Sequence, residues 1–320
     1  MNGDTPRTSR ALVLDEFGTL PRLEEREVPA PRPGHTLVRL RAAQVSHLDL
    51  NIIDGAFGVL PELPFVPGTT GSGTVVASGT HPEGTLVSLR GADTGIRADG
   101  AWQEHILVPD DAVTPVPEGT DPAIACSYWS PVGTALAAVH TVGRVQEGER
   151  VLVTGAAGSV GAMAVQIAAR AGAEVIGAVG RESKLAHVPG AAKPVLAGEL
   201  SAETVGGPVD LVVDTVGGPV LRAALPLVRG RGRVALVGYT AGRELTVDLA
   251  DFLLADVSLL PVNLMTRGDE VREEAQSLLP ALNAGELTLS IERFGLERLP
   301  EAIDRLRRGE LVGKPVLELP

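Results

Sequence analysis

A glycine-rich turn between a strand and a helix is the feature that most constrains how this chain can fold. The β-branched run Val151–Thr154 leads directly into Gly155, Gly158 and Gly161. Apolar residues then recur with helical spacing along one face, at Val160, Ala164, Ile167, Ala168 and Ala171. The backbone N–H groups of such a turn and the N-terminus of its helix together face an anion. The pattern therefore predicts a binding site for a phosphate-bearing dinucleotide.

Each glycine of this turn has its own expected role. Gly155 permits the tight turn, Gly158 lets a pyrophosphate approach the backbone, and Gly161 lets the helix pack closely on the strand. The spacing departs from a strict G-x-G-x-x-G because two alanines precede Gly158. A glycine triplet alone would match many structural turns, but the flanking strand and amphipathic helix favour a dinucleotide. The expected cofactor contacts are Gly155, Ala157, Gly158, Ser159, Val160 and Gly161.

The end of the next strand indicates which dinucleotide binds. A site for NAD prefers an acidic residue about 20 residues beyond the glycine motif, where it holds the ribose 2′-OH. The strand Val175–Val179 ends instead in Gly180, which leaves room for a phosphate. Donors suited to that phosphate follow it: Arg181, Ser183 and Lys184. We therefore expect NADPH. The alternatives are that Glu182 holds a ribose, or that the segment is only a solvated helix start.

The rest of the chain divides into a part with alternating strands and helices and a β-rich part. Further strand candidates at Glu174–Val179, Val209–Val213 and Arg233–Val237 alternate with helical or loop segments, which predicts an α/β fold with a doubly wound parallel sheet. A helix is also expected over Asp269–Leu282, and another after Pro300. The N-terminal part instead predicts a β-rich barrel or sandwich. Its strand candidates are Ala11–Leu14, Thr36–Ala42, Gly73–Val76, Gly84–Leu89 and Trp102–Val108.

Composition excludes several classes of protein. A chain of 320 residues suggests two domains. With 40 acidic and 28 basic residues its net charge is −12, which argues against nucleic-acid and anionic-membrane partners. The single cysteine, Cys126, allows neither an intramolecular disulfide nor a cysteine-rich zinc lobe. The start, Met1–Arg10, is polar, and no run approaches the roughly 18 apolar residues of a membrane span. We expect a soluble, cytoplasmic protein.

Six motifs occur in the order that is typical of one protein family, and together they make the resemblance to that family specific. They are Pro64–Gly73, Gly100–Glu104, Gly155–Gly161, Val209–Gly218, Gly232–Gly238 and Gly309–Leu317. With them the chain resembles the medium-chain dehydrogenase/reductase superfamily, nearest its zinc-free quinone oxidoreductase-like branch. The resemblance implies a GroES-like catalytic domain at both chain ends, a Rossmann NADP(H)-binding domain inserted between them, and catalysis in the cleft. The expected boundaries are 1–121 and 259–320 for the catalytic domain and 122–258 for the Rossmann domain.

The residues at the family's zinc positions predict no metal site. Zinc alcohol dehydrogenases carry a Cys-His-x-Asp sequence where this chain has Ser46-His47-Leu48-Asp49. Their Gly-His-Glu corresponds to Gly68-Thr69-Thr70, and the third ligand would fall near Ser130. Because zinc takes thiolate, imidazole or carboxylate ligands, three hydroxyl residues in their place leave nothing to hold it.

Several site residues follow from the resemblance alone. The histidine that matches His47 lies near the cofactor phosphate in the zinc enzymes; here it could also shuttle a proton, or simply belong to the fold. Asp49 is expected to cap a short helix. Quinone reductases usually carry asparagine at the position of Ser46 and often tyrosine at that of Asn51. Tyr128 is expected to border the nicotinamide, either as a donor or as packing. Further expected cofactor contacts are Thr134, Val216, Gly238 and Tyr239.

Without a metal, hydride transfer suits an acceptor that already delocalises the arriving charge. We therefore expect an NADPH-dependent, zinc-independent reductase of a quinone or an α,β-unsaturated carbonyl, a small-molecule substrate. Its catalytic candidates are Ser46, Asn51 and Tyr128, as hydrogen-bond donors to the developing anion. The alternatives are a pathway-specific enoyl reductase or dehydrogenase of a bulky metabolite, and a non-catalytic NADPH-binding protein.

The resemblance also implies a homodimer, because the family commonly joins Rossmann sheets edge to edge. The pairing candidate is Val257–Val262. Pro261 within it counts against this pairing, since proline removes a donor from the ladder.

Overall fold

The second of two structural units is inserted into the first. The computed structural model describes residues 6–91 and 93–320. The first unit runs to Ser127 and resumes at Ser290–Pro320, and the second comprises Tyr128–Leu289. This arrangement is that of a GroES-like domain with an inserted Rossmann domain.

The elements follow in chain order. The strands of the described residues are β1 (Thr8–Val13), β2 (Arg22–Glu27), β3 (His35–Gln44), β4 (Thr70–Ala77), β5 (Leu86–Arg90), β6 (His105–Pro109), β7 (Val113–Pro115), β8 (Arg150–Thr154), β9 (Glu174–Val179), β10 (Ala192–Leu196), β11 (Val209–Asp214), β12 (Val228–Leu236), β13 (Ser258–Pro261), β14 (Ile291–Gly295) and β15 (Lys314–Glu318). The α-helices are α1 (His47–Ile53), α2 (Pro122–Ser127), α3 (Trp129–Leu136), α4 (Ser159–Arg170), α5 (Ala202–Val205), α6 (Gly218–Ala224), α7 (Leu249–Ala255), α8 (Leu264–Ser277), α9 (Leu279–Asn283) and α10 (Leu299–Arg307).

The first unit is β-rich, as its short apolar runs predict. A seven-stranded sheet has the order β14-β15-β3-β4-β5-β7, with β6 also paired to β3, and β1 and β2 form a separate antiparallel pair. Fully buried aromatic side chains, among them Trp102, Phe65 and Phe294, lie in its core. Strand β2 is missing from the sequence-based strands because its sequence, RLEERE, is almost entirely charged. Among the described residues β2 pairs with β1 alone, and none of its side chains is buried, so its sequence carries no alternating apolar pattern.

The second unit contains the predicted doubly wound sheet. Its six strands are all parallel, in the order β10-β9-β8-β11-β12-β13. In chain order this is 3-2-1-4-5-6, so the strand order reverses between β8 and β11. Ligands of such sheets bind at the carboxyl ends of the strands beside that reversal. The glycine turn follows β8 and therefore lies at this point.

The divisions between the units differ from the predicted boundaries, which fall after residues 121 and 258. The second unit keeps α8 and α9, because α8 packs against α3. A side chain added at Gly133 of α3 would meet Leu264 and Val271 of α8 at 3.1 and 3.7 Å. The predicted helix Asp269–Leu282 is two helices, divided at Leu278, with Pro280 in the first turn of α9. Proline is tolerated there because a first-turn N–H needs no helical partner.

Candidate functional site

The glycine turn of the second unit has the geometry of an anion cradle. Gly155 has φ +64°, the left-handed region that favours glycine, and the N–H of Gly158 donates to the Gly155 carbonyl at 2.8 Å. Helix α4 starts at Ser159, and no side chain caps it. Gly158 is exposed at this helix end. The open, uncapped N-terminus of a 12-residue helix suits a phosphate.

Close packing explains the other glycine of the motif. A Cβ at Gly161 would lie 2.2 Å from the Gly155 carbonyl oxygen, so the turn and the helix approach more closely than any side chain allows. A Cβ at Gly155 would meet the Thr215 hydroxyl at 2.4 Å and Val216 at 2.9 Å. The turn after β8 is thus packed against the end of β11, which places Val216 beside it.

A buried carboxylate joins the ends of β8 and β11. Asp214 is fully buried, and its two oxygens accept hydrogen bonds from the Thr154 hydroxyl at 2.6 Å and the Gly217 N–H at 2.8 Å. Thr215 completes the brace by donating from its hydroxyl to the Thr154 carbonyl at 2.8 Å. Burial raises the pKa of the Asp214 carboxyl, and the hydrogen bonds oppose that rise. Asp214 is therefore a structural brace.

The end of β12 reaches the same edge of the sheet. Gly238 donates its N–H to the Asp214 carbonyl at 3.2 Å, and a Cβ there would lie 2.1 Å from the Thr215 carbonyl oxygen. Tyr239 follows with 63% of its surface exposed and the Arg243 guanidinium 5.3 Å from its ring centre. The structure thus places Val216, Gly238 and Tyr239 at the same edge of the sheet as the glycine turn.

The end of β9 carries two neighbouring cations. Gly180 is open, with nothing within 4 Å of where a Cβ would stand. Lys184 follows in a turn of 3₁₀-helix and donates its N–H to the Arg181 carbonyl at 2.9 Å. Partial burial and the charge of Arg181 lower the pKa of Lys184. Ser183 and Glu182 are exposed in the same turn.

Two further predicted residues lie on or before α3. Tyr128 directly precedes the helix and is 3% exposed, while Thr134 on the helix is partly exposed. Helix α3 packs against α4, the helix of the glycine turn. This packing ties Thr134 to the same unit as the cradle.

In the first unit, Ser46 and Asp49 form a closed hydrogen-bonded pair at the start of α1. Ser46 donates to one Asp49 oxygen from its hydroxyl at 2.6 Å and from its N–H at 2.7 Å. The Thr69 N–H donates to the other oxygen at 2.8 Å. Ser46 is the N-cap of α1, and the buried Asp49, 1% exposed, completes its capping box and also ties α1 to the segment before β4. The Ser46 proton is committed to Asp49.

His47 and Asn51 occupy the open side of α1. Both side chains are exposed. Partial burial of the ring and the positive charge of Lys314 lower the pKa of His47. The Asn51 carbonyl accepts from the N–H groups of Ala56 and Phe57, which leaves its side-chain amide outside these bonds.

Lys314 is a site residue that the sequence did not reveal. It begins β15, and the next residue, Pro315, accepts a hydrogen bond from the Val45 N–H at 2.9 Å, which brings Lys314 beside Ser46. Burial lowers the pKa of Lys314, and the negative charge of Asp49 opposes this. Burial also shifts the pKa of the Asp49 carboxyl, which it raises, while the hydrogen bonds from Ser46 and Thr69 lower it. The motif Gly309–Leu317 contains this lysine, but 265 positions separate it from Asp49 in the sequence, so their proximity cannot be read from the sequence.

Comparison with known proteins decides the family. Residues 32–118 match the alcohol dehydrogenase GroES-like domain, and residues 159–283 match the zinc-binding dehydrogenase family. The chain is 30% identical to prostaglandin reductase-3 of Bos taurus over 92% of its own length and 83% of that protein. It belongs to the medium-chain dehydrogenase/reductase superfamily. Within the superfamily it falls in the quinone oxidoreductase-like branch.

Other members of the superfamily cover nearly the whole chain. A putative quinone oxidoreductase of Bacillus subtilis is 28% identical over 86% of this chain and 89% of its own. The solved structure of a mycobacterial quinone oxidoreductase, also 28% identical, has a TM-score of 0.82 and covers 97% of this chain and 100% of its own. AibC, at 23% identity, has a TM-score of 0.85 over 98% of this chain and 96% of its own and shows the fold alone.

Membership in the superfamily makes the protein an oxidoreductase that uses a nicotinamide dinucleotide and acts on small molecules. The cofactor fits the residues present: the glycines at 155 and 161 cannot carry a Cβ without a clash, and the end of α4 is open and uncapped. Across residues 6–91 and 93–320, no helix is long and apolar enough to cross a membrane.

The zinc positions of the superfamily carry other chemistry in this protein. Ser46 and Thr69 are bonded to Asp49, as described above. Cys126 is 4% exposed, donates to the Ala123 carbonyl at 3.4 Å, and has a pKa raised far above its usual range by burial. It is a packed thiol. In the described part of the chain, no three His, Cys, Asp or Glu side chains are grouped to hold a metal.

Replacing Gly161 with alanine tests the cradle. Alanine normally stabilises a helix by up to about 1 kcal/mol relative to glycine, but here the clash with the Gly155 carbonyl oxygen should win. We expect Gly161→Ala to lower the free energy of unfolding by about 1–3 kcal/mol and to weaken dinucleotide binding. Denaturant unfolding and fluorescence titration measure the two effects. The matched variant Gly190→Ala, where a Cβ meets nothing within 4 Å, should change neither; a stable, fully binding Gly161→Ala would contradict the close packing.

Removing the Lys314 charge should raise the pKa of His47. Since that charge lowers the pKa in the native protein, His47 in Lys314→Met should keep its proton to higher pH. An NMR titration of the His47 ring, assigned with His47→Gln, gives the shift. Lys193→Met makes the same change in net charge in the second unit and should leave the titration unmoved. An unchanged or lower His47 pKa in Lys314→Met would contradict the interaction.

Proposed function

We propose that this protein is a cytoplasmic, NADPH-dependent and zinc-independent reductase that transfers hydride to a quinone or an α,β-unsaturated carbonyl. The observation that carries the proposal is the end of β9, where an open Gly180 is followed by Arg181 and Lys184. The glycine turn after β8 supplies the pyrophosphate cradle, with Ser159 and Val160 at the uncapped end of α4.

The charges beside Gly180 support NADPH over NADH. A 2′-phosphate brings extra negative charge to the end of β9, where Arg181 and Lys184 lie close enough for one charge to depress the pKa of the other. An added anion relieves that repulsion and gains charge-assisted hydrogen bonds. Glu182 is exposed and separated from the strand end by Arg181, which makes it a poor partner for a ribose.

The class of hydride acceptor follows from the residues at the zinc positions. Hydroxyl residues at the zinc positions do not provide the Lewis acid that polarises a simple ketone or alcohol. When bound, reduced nicotinamide supplies the hydride. A quinone or a conjugated alkene delocalises the charge that arrives with it. The names of two relatives, prostaglandin reductase-3 and a putative quinone oxidoreductase, agree with this class.

Ser46, Asn51 and Tyr128 are our candidates for stabilising the developing anion. The exposed Asn51 amide can donate directly. Ser46 already donates to Asp49, so it can serve only if that bond is released or if its N-cap position orients a neighbouring donor. Solvent then supplies the proton. Lys314 lies near enough to Asp49 for the carboxylate to oppose the lowering of the lysine's pKa, and it is our candidate for a positioning residue beside this pair.

Cofactor selectivity gives the first test. The double variant Arg181→Ala/Lys184→Ala should raise the Kd for NADPH about a hundredfold, because two charge-assisted hydrogen bonds at about 1.5 kcal/mol each are lost. The Kd for NADH should stay within about twofold. Fluorescence titration measures both, and Lys193→Ala, which removes a positive charge elsewhere in the second unit, is the control. Equal wild-type affinities for the two nucleotides would overturn the phosphate site and move attention to Glu182. Binding of neither would remove the redox proposal.

Turnover gives the second test. We expect NADPH consumption with menadione and with trans-2-enones, and none with the matching saturated ketones. Asn51→Ala should lower kcat by about tenfold or more while NADPH binding is unchanged. Activity only with the longest enones would favour the bulky-metabolite alternative. Tight NADPH binding without turnover on any acceptor would favour a non-catalytic, NADPH-binding protein.

We also propose a homodimer formed through the edge of the six-stranded sheet. Strand β13 is that edge, and the preceding helix α7 exposes Leu253 and Leu254 at 70% and 85%. An unpaired edge beside exposed leucines suits a second copy of the same surface. Pro261 lies at the end of β13, where a missing N–H costs least.

The oligomeric state should change when the leucines are made polar. We expect Leu253→Asp/Leu254→Asp to be monomeric and the wild-type protein dimeric by size-exclusion chromatography with light scattering. Leu20→Asp, which changes an exposed leucine of the first unit, should remain dimeric. A monomeric wild-type protein, or an unaffected double variant, would contradict the interface.

A further inference from the structure

The first unit contains a cavity that the proposed reaction does not use. It encloses about 640 Å³, within the range of about 300–1,000 Å³ typical of small-molecule sites. Strands β3 and β4 form its floor, and the segment Val28–Pro31 lines one side. Every residue that lines it belongs to the first unit, whereas the dinucleotide cradle belongs to the second.

Three arginines line this cavity. Arg39 and Arg41 are two residues apart on β3, and Arg7 precedes β1. In the described parts of the chain no Asp or Glu side chain lies within ion-pair distance of the three; Arg39 donates to a carboxylate oxygen of the terminal Pro320 at 3.4 Å. Two glutamates, Glu27 and Glu83, also line the cavity, so the lining is net positive in a chain of net charge −12.

A buried histidine lies beside Arg39. His105 on β6 is directly opposite Arg39 in the register of β3 and β6, and it also lines the cavity. It is 4% exposed, and its Nδ1 atom has no hydrogen-bond partner. Native proteins rarely leave a buried polar atom unpaired unless a ligand or water meets it. Burial and the charge of Arg39 lower the pKa of His105, although Glu104 opposes them, and an added anion would oppose them further.

We propose that this cavity binds a small organic anion. Its carboxylate or phosphate pairs with Arg39 and Arg41 and faces His105, and its neutral, largely apolar body lies against Leu37 and Pro29. Guanidinium groups suit both anions because their parallel N–H groups match two oxygens at once. The apolar part of the lining gives that body a surface to cover, which inorganic ions lack. This site is separate from the dinucleotide cradle and does not depend on the redox proposal.

Titration calorimetry with matched probes tests the site. Phenyl phosphate and benzoate carry the anion on an apolar ring, and benzamide is the neutral counterpart. We expect both anions to bind with a Kd near or below about 1 mM and benzamide not to bind. Arg39→Gln and Arg41→Gln should each weaken binding about tenfold or more. Arg97→Gln removes an equally charged, exposed arginine outside the cavity and should leave binding unchanged.

Saturating NADPH separates this cavity from the cradle. Binding of phenyl phosphate that persists with NADPH present, together with a shift of the His105 ring signals in an NMR titration, supports the cavity. Three results overturn it: no binding of either anion, equal binding of benzamide, or binding that NADPH abolishes while Arg39→Gln does not affect it. The outcome is independent of NADPH turnover. Arg39 is exposed, so its variant should fold, and circular dichroism checks this.

Discussion

The second unit depends on the buried carboxylate of Asp214, which joins the ends of β8 and β11 where the strand order of the sheet reverses. Its oxygens accept from Thr154 at the end of β8 and from Gly217 after β11, the two strands at which the sheet order reverses. An uncompensated carboxylate inside a protein would be costly, and these hydrogen bonds offset that cost. With the two strand ends fixed, the turn after β8 packs against Thr215 and Val216, and α4 begins open to solvent.

A second buried carboxylate organises the first unit in the same way. Asp49 fixes the start of α1 through Ser46 and fixes the segment before β4 through Thr69. In zinc members of the superfamily this region holds metal ligands; here hydroxyls and backbone N–H groups surround the acid, and Lys314 is the nearby positive charge. The region therefore combines a rigid, satisfied acid with two exposed side chains, His47 and Asn51, that can meet a ligand.

The sequence predicts best those structural features that neighbouring residues encode. The glycine turn follows from residues a few positions apart, and the parallel sheet follows from the alternation of strand and helix segments along the chain. Sequence reasoning missed β2, whose charged sequence carries no strand pattern, and it joined α8 and α9 into one helix because their apolar spacing continues across Leu278. The boundary after residue 258 differed from the observed division because α8 packs on α3, a contact that no local pattern encodes.

The sequence by itself determined the family, the cradle and the cations that follow β9, because turn geometry and strand–helix alternation are encoded by neighbouring residues. Only the tertiary structure decided that Lys314 lies beside Ser46 and Asp49, and that Arg39 and Arg41 share a cavity with His105. These groups come from distant strands, and strand pairing sets their spacing. Burial then acts on their charges, and its effect on a pKa depends on the surrounding fold rather than on the residue itself.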